Sequence, residues 1–392
     1  MREYLNGALV AVAFLAAPAF AQLHLLTGSP NPKEGPGGFE SALYRVGDDG
    51  KLVRLAEIVP AGVGTDWIAV SQTLRLAVLH VRKREDPVVV VGLDKAGIVK
   101  QCNLPDIGMG LINEWLIDSP TRGPVLAQDR ETGIAGQTWG LTLDPAVPCD
   151  KSFAAIDTAE TVQHLLASGT AGVADVGSSD IMSVILVPKT GKLHAWFPQG
   201  VVYFDQDVPV EMYAGMQVPW AHILVSNPDL FAVSITDYGA SREQRLLVFR
   251  KRDKTWLRVP KVSEKFAVRG FGTFLAITAA QARGAGMTES AGRAEWRTER
   301  TGSGPSLMVQ MREFGVVYPG RIHLYDAATE RVRDIVTNQG DSEVILVEGG
   351  TVYYRASDRL YSAVITEAGL GPARLLVAGE AIRDAHWAFF RH

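Results

Sequence analysis

The feature that most constrains the fold is a strand–turn–strand pattern that recurs along the chain. The clearest copy is "RIHLYDAATERVRDI" at residues 321–335, where two apolar strands flank a polar turn. Similar pairs begin at Ala42, Val88, Thr138, Leu193, Arg245 and Arg359. Most of the spacings between pairs are about 40 to 55 residues, which is typical of repeated structural units. The pattern predicts seven copies of one sheet-forming unit.

Each pair is followed by two further apolar runs, so each unit has four strands. "DWIAVS" and "LRLAVLHV" follow the first pair, and "SEVILVEG" and "TVYYRAS" follow the sixth. Because almost no segment has helical periodicity, we predict an all-β fold: a seven-bladed β-propeller of four-stranded antiparallel blades over residues 22–392. The N-terminal strands and the C-terminal "DAHWAFFRH" would share one blade and close the ring.

Hairpins such as "LYDAATERVRDI" resemble those of the WD40-like propellers, especially the bacterial YVTN and TolB-like repeats. The resemblance extends over the chain after residue 21 at the level of the blades. The Trp-Asp and Gly-His signatures of WD40 blades are irregular here. The resemblance therefore implies the fold and says little about activity.

The first 21 residues have the pattern of an export signal. Arg2 precedes the apolar run "LNGALVAVAFLAAPAF", and "AFA" forms a small-residue cleavage site before Gln22. The apolar run is short for a membrane-spanning helix, so we expect no stable membrane insertion after cleavage. The sequence predicts a periplasmic or secreted protein.

Two cysteines, Cys102 and Cys149, are the only ones in the chain. In an oxidising compartment they can form a disulfide; the alternative is two separate buried thiols.

Overall charge and short motifs exclude several classes of function. The formal net charge is −4 and the pI is about 6.1, so composition gives no indication of nucleic-acid binding. The motifs GxSxG and HExxH are absent, as is a phosphate-binding P-loop. We predict no cofactor.

Polar residues at the starts of the predicted innermost strands are the candidate site. In a propeller these positions surround the mouth of the central channel. They could bind a ligand there, or they could form a ring of polar side chains that hydrogen-bond to one another. A divalent metal is a less favoured alternative, and we assign no metal ligands. The candidates are Asp66, Glu114, His164, His222, Arg269, Glu343, Asp384 and His386.

A long insertion at about residues 280–320 interrupts the repeat. It is Gly-rich and charged, and it carries Trp296 in a polar setting. It is either a partner-binding arm with Trp296 as its anchor or a surface loop without a role. The tryptophans at the strand starts are interpreted as packing between blades: Trp67, Trp115, Trp220 and Trp387.

The favoured function is an exported binding or scaffold module. Its ligand would be a protein, a peptide, an envelope component or a small molecule, held on the face that carries the long loops. The alternative is a propeller enzyme of the hydrolase, lactonase or lyase type, with a site at the channel mouth. Its candidate residues are Asp66, Glu114, His222, Arg269 and His386. The lack of a catalytic motif favours binding.

Overall fold

The protein is an all-β propeller, seen in a computed structural model. The model describes residues 22–28, 41–60, 65–71, 74–81, 87–103, 111–119, 122–130, 137–156, 182–197, 200–204, 206–239, 243–260, 266–279, 321–337 and 342–391. Within these ranges the strands form six antiparallel sheets, and the helical segments are three short turns. The prediction of an all-β propeller is confirmed.

The six sheets follow one another along the chain, except that sheet 1 also takes the last strand. Sheet 1 contains β1 (Gln22–Thr27), β2 (Ser41–Val46), β3 (Leu52–Val59) and β28 (Ala385–Arg391). Sheet 2 contains β4 (Thr65–Ser71), β5 (Leu76–Val81), β6 (Pro87–Gly92) and β7 (Gly97–Asn103). Sheet 3 contains β8 (Leu111–Ser119), β9 (Gly123–Arg130), β10 (Gln137–Thr142) and β11 (Phe153–Ala155).

Sheet 4 is the largest. It contains β12 (Met182–Leu186), β13 (Leu193–Phe197), β14 (Gly200–Tyr203), β15 (Pro219–Ser226), β16 (Leu230–Asp237), β17 (Gln244–Arg250) and β18 (Thr255–Arg258). Sheet 5 contains β19 (Phe266–Phe271), β20 (Phe274–Ala279), β21 (Arg321–Asp326) and β22 (Arg331–Val336). Sheet 6 contains β23 (Ser342–Glu348), β24 (Thr351–Ala356), β25 (Arg359–Thr366), β26 (Gly369–Leu370) and β27 (Arg374–Ala378).

The count of seven four-stranded blades is wrong for the described strands, which form six sheets. The two hairpins that begin at Leu193 and Arg245 belong to the same sheet, because β12 pairs with β15. In that pairing Met182 lies opposite Ile223 and Val184 lies opposite Ala221. A separate fourth blade would need its own innermost strand beside β12. The predicted innermost strand that carries His164 would fill that place, and it lies outside the described residues.

The core lies between the sheets, because neighbouring residues of one strand pack against different sheets. In β6, Val88 and Val90 belong to an apolar cluster shared with sheets 3 and 4, whereas Val89 and Val91 face a cluster shared with sheet 1. Burial on both faces explains the continuous run "PVVVVG", since an alternating pattern would leave one face polar. Further clusters join sheets 4 and 5, sheets 5 and 6, and sheets 6 and 1.

Arginines near the hairpin turns connect neighbouring sheets. Arg250 in sheet 4 donates to the carbonyl of Ala327 in the turn of sheet 5 at 2.6 Å. Arg331 and Arg333 in sheet 5 donate to the carbonyls of Glu367 and Thr366 in sheet 6. Arg333 is only 9% exposed. The charged side chains of Arg331 and Arg333 in this hairpin therefore bind the adjacent sheet.

The connection between β10 and β11 is fixed at two points. Cys102 in β7 forms a disulfide with Cys149 in the short helix Cys149–Ser152, with their Cα atoms 5.5 Å apart. Beside it, the buried ammonium of Lys100 lies 2.7–2.9 Å from four oxygens and shares its three N–H groups among them: the carbonyls of Thr142, Asp144 and Val147, and Ser152 Oγ. Together these bonds anchor residues 142–152 to sheet 2.

We expect Lys100→Met to lower the free energy of unfolding by about 2–3 kcal/mol, because a hydrogen bond to a charged group is worth about 1.5–3 kcal/mol. The oxygens that now accept from Lys100 would also lose their donor in a buried site. Urea denaturation followed by circular dichroism measures the change. Lys51→Met is the control, since that lysine is 79% exposed and pairs with Asp49, which is itself exposed. Equal stability of the two variants would contradict a structural role for Lys100.

Candidate functional site

Four charged or polar side chains from three sheets meet around Glu343. Arg269 lies in β19, Glu343 in β23, Arg355 in β24 and His386 in β28. Strands β15, β19, β23 and β28 contact one another in succession, which places these sheets side by side. The side chains are 5–22% exposed, so the group is largely enclosed but reaches solvent.

Strand register brings the group together. Glu343 is the second residue of β23 and lies directly opposite Arg355 in β24. His386 is likewise the second residue of β28. Arg269 is placed by its neighbour Gly270, where a Cβ atom would lie 2.2 Å from Cγ1 of Val225 in β15. A glycine at that position allows β19 to approach sheet 4 closely.

Both carboxylate oxygens of Glu343 accept hydrogen bonds. Oε1 accepts from Arg269 Nη1 at 2.7 Å. Oε2 accepts from Arg355 Nε at 3.3 Å and Nη2 at 3.1 Å, and it lies 2.7 Å from His386 Nδ1. Arg269 Nη1 also donates to the backbone carbonyls of Val344 and His386, so one guanidinium ties together the backbones of β23 and β28.

The electrostatics favour an ionised Glu343. Burial alone would raise the pKa of Glu343, but the nearby His386, Arg269 and Arg355 hold the pKa of that carboxyl well below its usual range. Burial lowers the pKa of Arg269, and the attraction of Glu343 opposes that effect. Arginine remains protonated in proteins, so two guanidinium groups face a single carboxylate and the group has excess positive charge.

The contact with Glu343 fixes the histidine tautomer. A ring nitrogen 2.7 Å from an ionised carboxylate must carry a proton, so His386 Nδ1 is the donor and Nε2 is left as an acceptor in the neutral ring. This is how a carboxylate orients a general base. Among the described residues, however, no serine, threonine or lysine side chain is hydrogen-bonded to this pair, and no three His, Cys, Asp or Glu side chains are grouped to hold a metal ion.

The structure thus brings three of the eight candidates together: Arg269, Glu343 and His386. His222 lies elsewhere, in β15 between β12 and β16, opposite Ser183 and Ser234. Asp384 ends the 3-10 helix Glu380–Asp384, and its carbonyl accepts from the Gly28 amide at 3.0 Å.

Other predicted features are placed in part or not at all. Asp66 and Glu114 lie in β4 and β8, but their side chains are outside the described part of the molecule. His164, Trp296, the insertion at about 280–320 and the export signal also lie outside the described residues.

Arg355 was not among the predicted site residues, because those were taken from the starts of the predicted innermost strands. It belongs to the following strand, near its end, and is 4% exposed. The signal that could have found it is the hairpin itself: pairing "SEVILVE" antiparallel with "TVYYRA" puts a glutamate opposite an arginine. Opposite charges at facing positions stabilise an antiparallel pair.

A second feature is an aromatic patch at the start of β15, which we call the Trp220–Tyr238 patch. It consists of Val218, Trp220 and Tyr238, which are 47%, 39% and 52% exposed. The rings of Trp220 and Tyr238 meet edge to face with centroids 6.1 Å apart. The interpretation of Trp220 as packing between blades is therefore wrong, because this residue is 39% exposed and its ring packs against Tyr238, next to β16 of its own sheet; Trp387 is buried at 3% exposure, as that interpretation requires.

Asp237 holds the two segments of this patch together. Its side chain is buried, and Oδ1 accepts from the backbone amides of Gln217, Val218 and Gly239 at 2.8–3.2 Å. The amide of Tyr238 also donates to the carbonyl of Val218 at 2.9 Å. The patch is thus presented on a fixed backbone.

No helix in the described residues is long and apolar enough to cross a membrane. No protein-family model matches this chain, and neither does any curated protein sequence. Among solved structures, TolB from Acinetobacter baumannii has a TM-score of 0.37 at 10% identity, with 90% of this chain and 65% of TolB covered. Saccharomyces cerevisiae Sqt1 has a TM-score of 0.37 at 12% identity, covering 91% of this chain and 86% of Sqt1.

PorZ of the Porphyromonas gingivalis type-IX secretion system has a TM-score of 0.39 at 13% identity, covering 91% of this chain and 39% of PorZ. The chain thus spans just under two thirds of TolB and well under half of PorZ. Similarity at this level does not identify a function.

Proposed function

We propose that this protein is an exported binding module that takes a protein or peptide partner on the Trp220–Tyr238 patch. The observation that carries the proposal is two large aromatic rings that pack on each other, on residues that are 39% and 52% exposed. Tryptophan and tyrosine are enriched among residues that dominate binding energy, because they bury a large area at a small cost in side-chain entropy.

The distribution of the other exposed apolar side chains supports this choice. Several lie on outer strands: Val53 and Leu55 in β3, Val336 in β22 and Leu375 in β27. None of these is aromatic, and scattered aliphatic residues on a surface are normal. Only in the Trp220–Tyr238 patch do exposed rings contact each other within the described residues. Its backbone is also fixed by Asp237, which lowers the cost of ordering the patch on binding.

Two further parts of the proposal concern export and the ring. The signal pattern of residues 1–21 and the disulfide between Cys102 and Cys149 support export, since disulfides persist in oxidising compartments. Pairing of β1 with β28, in which Gln22 lies opposite Arg391, supports a ring closed between the two ends of the described chain.

The test starts from peptides selected for binding to the mature chain from a random phage-displayed library. We expect Trp220→Ala with Tyr238→Ala to weaken a selected peptide by at least about 30-fold, equivalent to about 2 kcal/mol for the loss of an interface hot spot. Isothermal titration calorimetry measures the dissociation constants. Val336→Ala is the control, because that side chain is 63% exposed but isolated on an outer strand. If the double variant binds the peptides as tightly as the unaltered chain, the patch is not the binding site.

Catalysis at the channel mouth has one observation in its favour, the orientation of His386 by Glu343. A base held in this way needs a substrate or a nucleophile within hydrogen-bond reach. The described residues supply the pair without that nucleophile, whereas the Trp220–Tyr238 patch is complete as a binding surface. Binding is therefore the better supported function.

A further inference from the structure

Several arginines of this protein pair with a carboxylate through the same edge of the guanidinium. A guanidinium offers Nε–H and Nη2–H along one edge, and that edge matches the two oxygens, or one shared oxygen, of a carboxylate. Four arginines use the edge in this way, with Nε at 2.7–3.3 Å and Nη2 at 2.8–3.1 Å from the acid. The pairs are Arg75 with Asp94, Arg245 with Glu243, Arg250 with Asp253, and Arg355 with Glu343.

Arg269 departs from this pattern. Its three acceptors all lie around Nη1, which shares its two N–H groups among them, so its Nε/Nη2 edge has no carboxylate among the described residues. Nε is buried and has no acceptor in the described part of the molecule. A buried donor without an acceptor costs about 1–3 kcal/mol, so an unpaired edge at this position needs an explanation.

Two aromatic rings lie near the guanidinium of Arg269. Its central carbon lies 5.6 Å from the ring centroids of both Phe271 and Trp387. Aromatic faces hold a guanidinium in a fixed orientation and keep water from it, which strengthens its attraction for an anion. His386 contacts Trp387 edge to face, at 5.6 Å between centroids, on the same side of the cluster.

The charges favour a monoanion. Two guanidinium groups, of Arg269 and Arg355, face one carboxylate, that of Glu343, so one positive charge is left when His386 is neutral. A carboxylate from outside the cluster would balance that charge and supply two acceptors to the unpaired Nε/Nη2 edge. Phosphate carries more negative charge near neutral pH and would exceed it.

We propose that the Nε/Nη2 edge of Arg269 binds the carboxylate of a ligand at the junction of β19, β23 and β28. The ligand is either a small carboxylic acid or the free C-terminal carboxylate of a peptide. The site is made of residues other than those of the Trp220–Tyr238 patch, so the experiments below test it independently of the proposed function.

The first measurement titrates sodium acetate into the mature chain by calorimetry and compares it with sodium chloride at the same ionic strength. We expect saturable acetate binding, and at least about a tenfold loss of affinity in Arg269→Lys, which keeps the charge but not the edge. Arg250→Lys is the matched control, because Asp253 already occupies its edge, and its acetate affinity should stay within about twofold.

The second measurement identifies the source of the carboxylate. An acetylated alanine tetrapeptide with a free C-terminus is compared with the same peptide as its amide. Tighter binding of the free acid than of acetate identifies a peptide terminus, and equal binding identifies a small acid; the amide should not bind in either case. Binding of the amide, or tighter binding of inorganic phosphate than of acetate, would overturn the proposal.

A third measurement applies even if Arg269→Lys does not fold. In unaltered protein labelled with 15N-arginine, acetate should shift the Nε–H resonance of one arginine that exchanges slowly with water. No shift in any arginine Nε–H, or the same shift with chloride, would overturn the proposal.

Discussion

Glu343→Gln is expected to lower the free energy of unfolding by about 3–5 kcal/mol at pH 7, the range found when one partner of a buried ion pair is removed. Glutamine keeps the shape of glutamate, but it leaves the guanidinium groups of Arg269 and Arg355 facing each other without a negative charge. Urea denaturation followed by circular dichroism gives the difference from the unaltered chain.

The loss of unfolding free energy caused by Glu343→Gln should depend on pH. Because the pKa of Glu343 is lower in the folded state than in the unfolded chain, its stabilisation is complete above the unfolded pKa and is lost as the pH falls towards the folded value. Each pH unit within that window removes about 1.4 kcal/mol. The difference in unfolding free energy between the unaltered chain and Glu343→Gln should therefore be largest near neutral pH. It should shrink as the pH falls below about 4.3, the ordinary pKa of glutamate.

Glu330→Gln is the control for this prediction. Glu330 also accepts from an arginine, Arg250, but its side chain is 55% exposed. Exposed ion pairs contribute about 0–1 kcal/mol, so its effect should be small at every pH. If Glu343→Gln behaves like Glu330→Gln, the cluster is not a buried ion pair in solution.

Replacing Cys102 and Cys149 by serine should cost about 4 kcal/mol, the loop-closure value for a loop of this size in the chain-entropy account. The disulfide closes a sequence separation of 47 residues and anchors the segment that also surrounds Lys100. Urea denaturation of the oxidised chain and the double variant measures the loss.

A reducing agent provides the control. It should destabilise the unaltered chain by a similar amount and leave the double serine variant unchanged, because the chain has no other cysteine. Combining the serine changes with Lys100→Met should cost less than the sum, since both alterations release the same segment of residues 142–152. A reductant that destabilises both proteins equally would show that the disulfide is not the cause.

The propeller could be predicted from the sequence because its signal is local. "RIHLYDAATERVRDI" shows its two strands and its turn, and the structure pairs Arg321 with Val336 and Asp326 with Arg331 as a simple hairpin. The number of sheets could not be predicted in the same way. It depends on whether β12 pairs with an innermost strand of its own or with β15, and nothing within "MSVIL" distinguishes the two.

The candidate site was predictable in position but not in composition. Polar residues at the second position of β23 and β28 identified Glu343 and His386, whereas Arg355 enters through cross-strand pairing. Trp220 and Trp387 lie in similar sequence settings, yet one ring is exposed and the other is buried. That difference depends on which sheet packs alongside, and a sequence of repeats does not carry that information.

The way the strands share their faces has a consequence for how the protein can change over evolution. Phe231 and Val233 of β16 pack with one group of sheets while Leu230 and Ala232 pack with the other, so no sheet possesses an interior of its own. Deleting or adding one repeat would expose two apolar surfaces at once, and each large side chain returned to water costs about 1.5–3 kcal/mol. We expect the sheets to melt as one cooperative unit, and a change in repeat number to succeed only when both flanking sheets are remade with it.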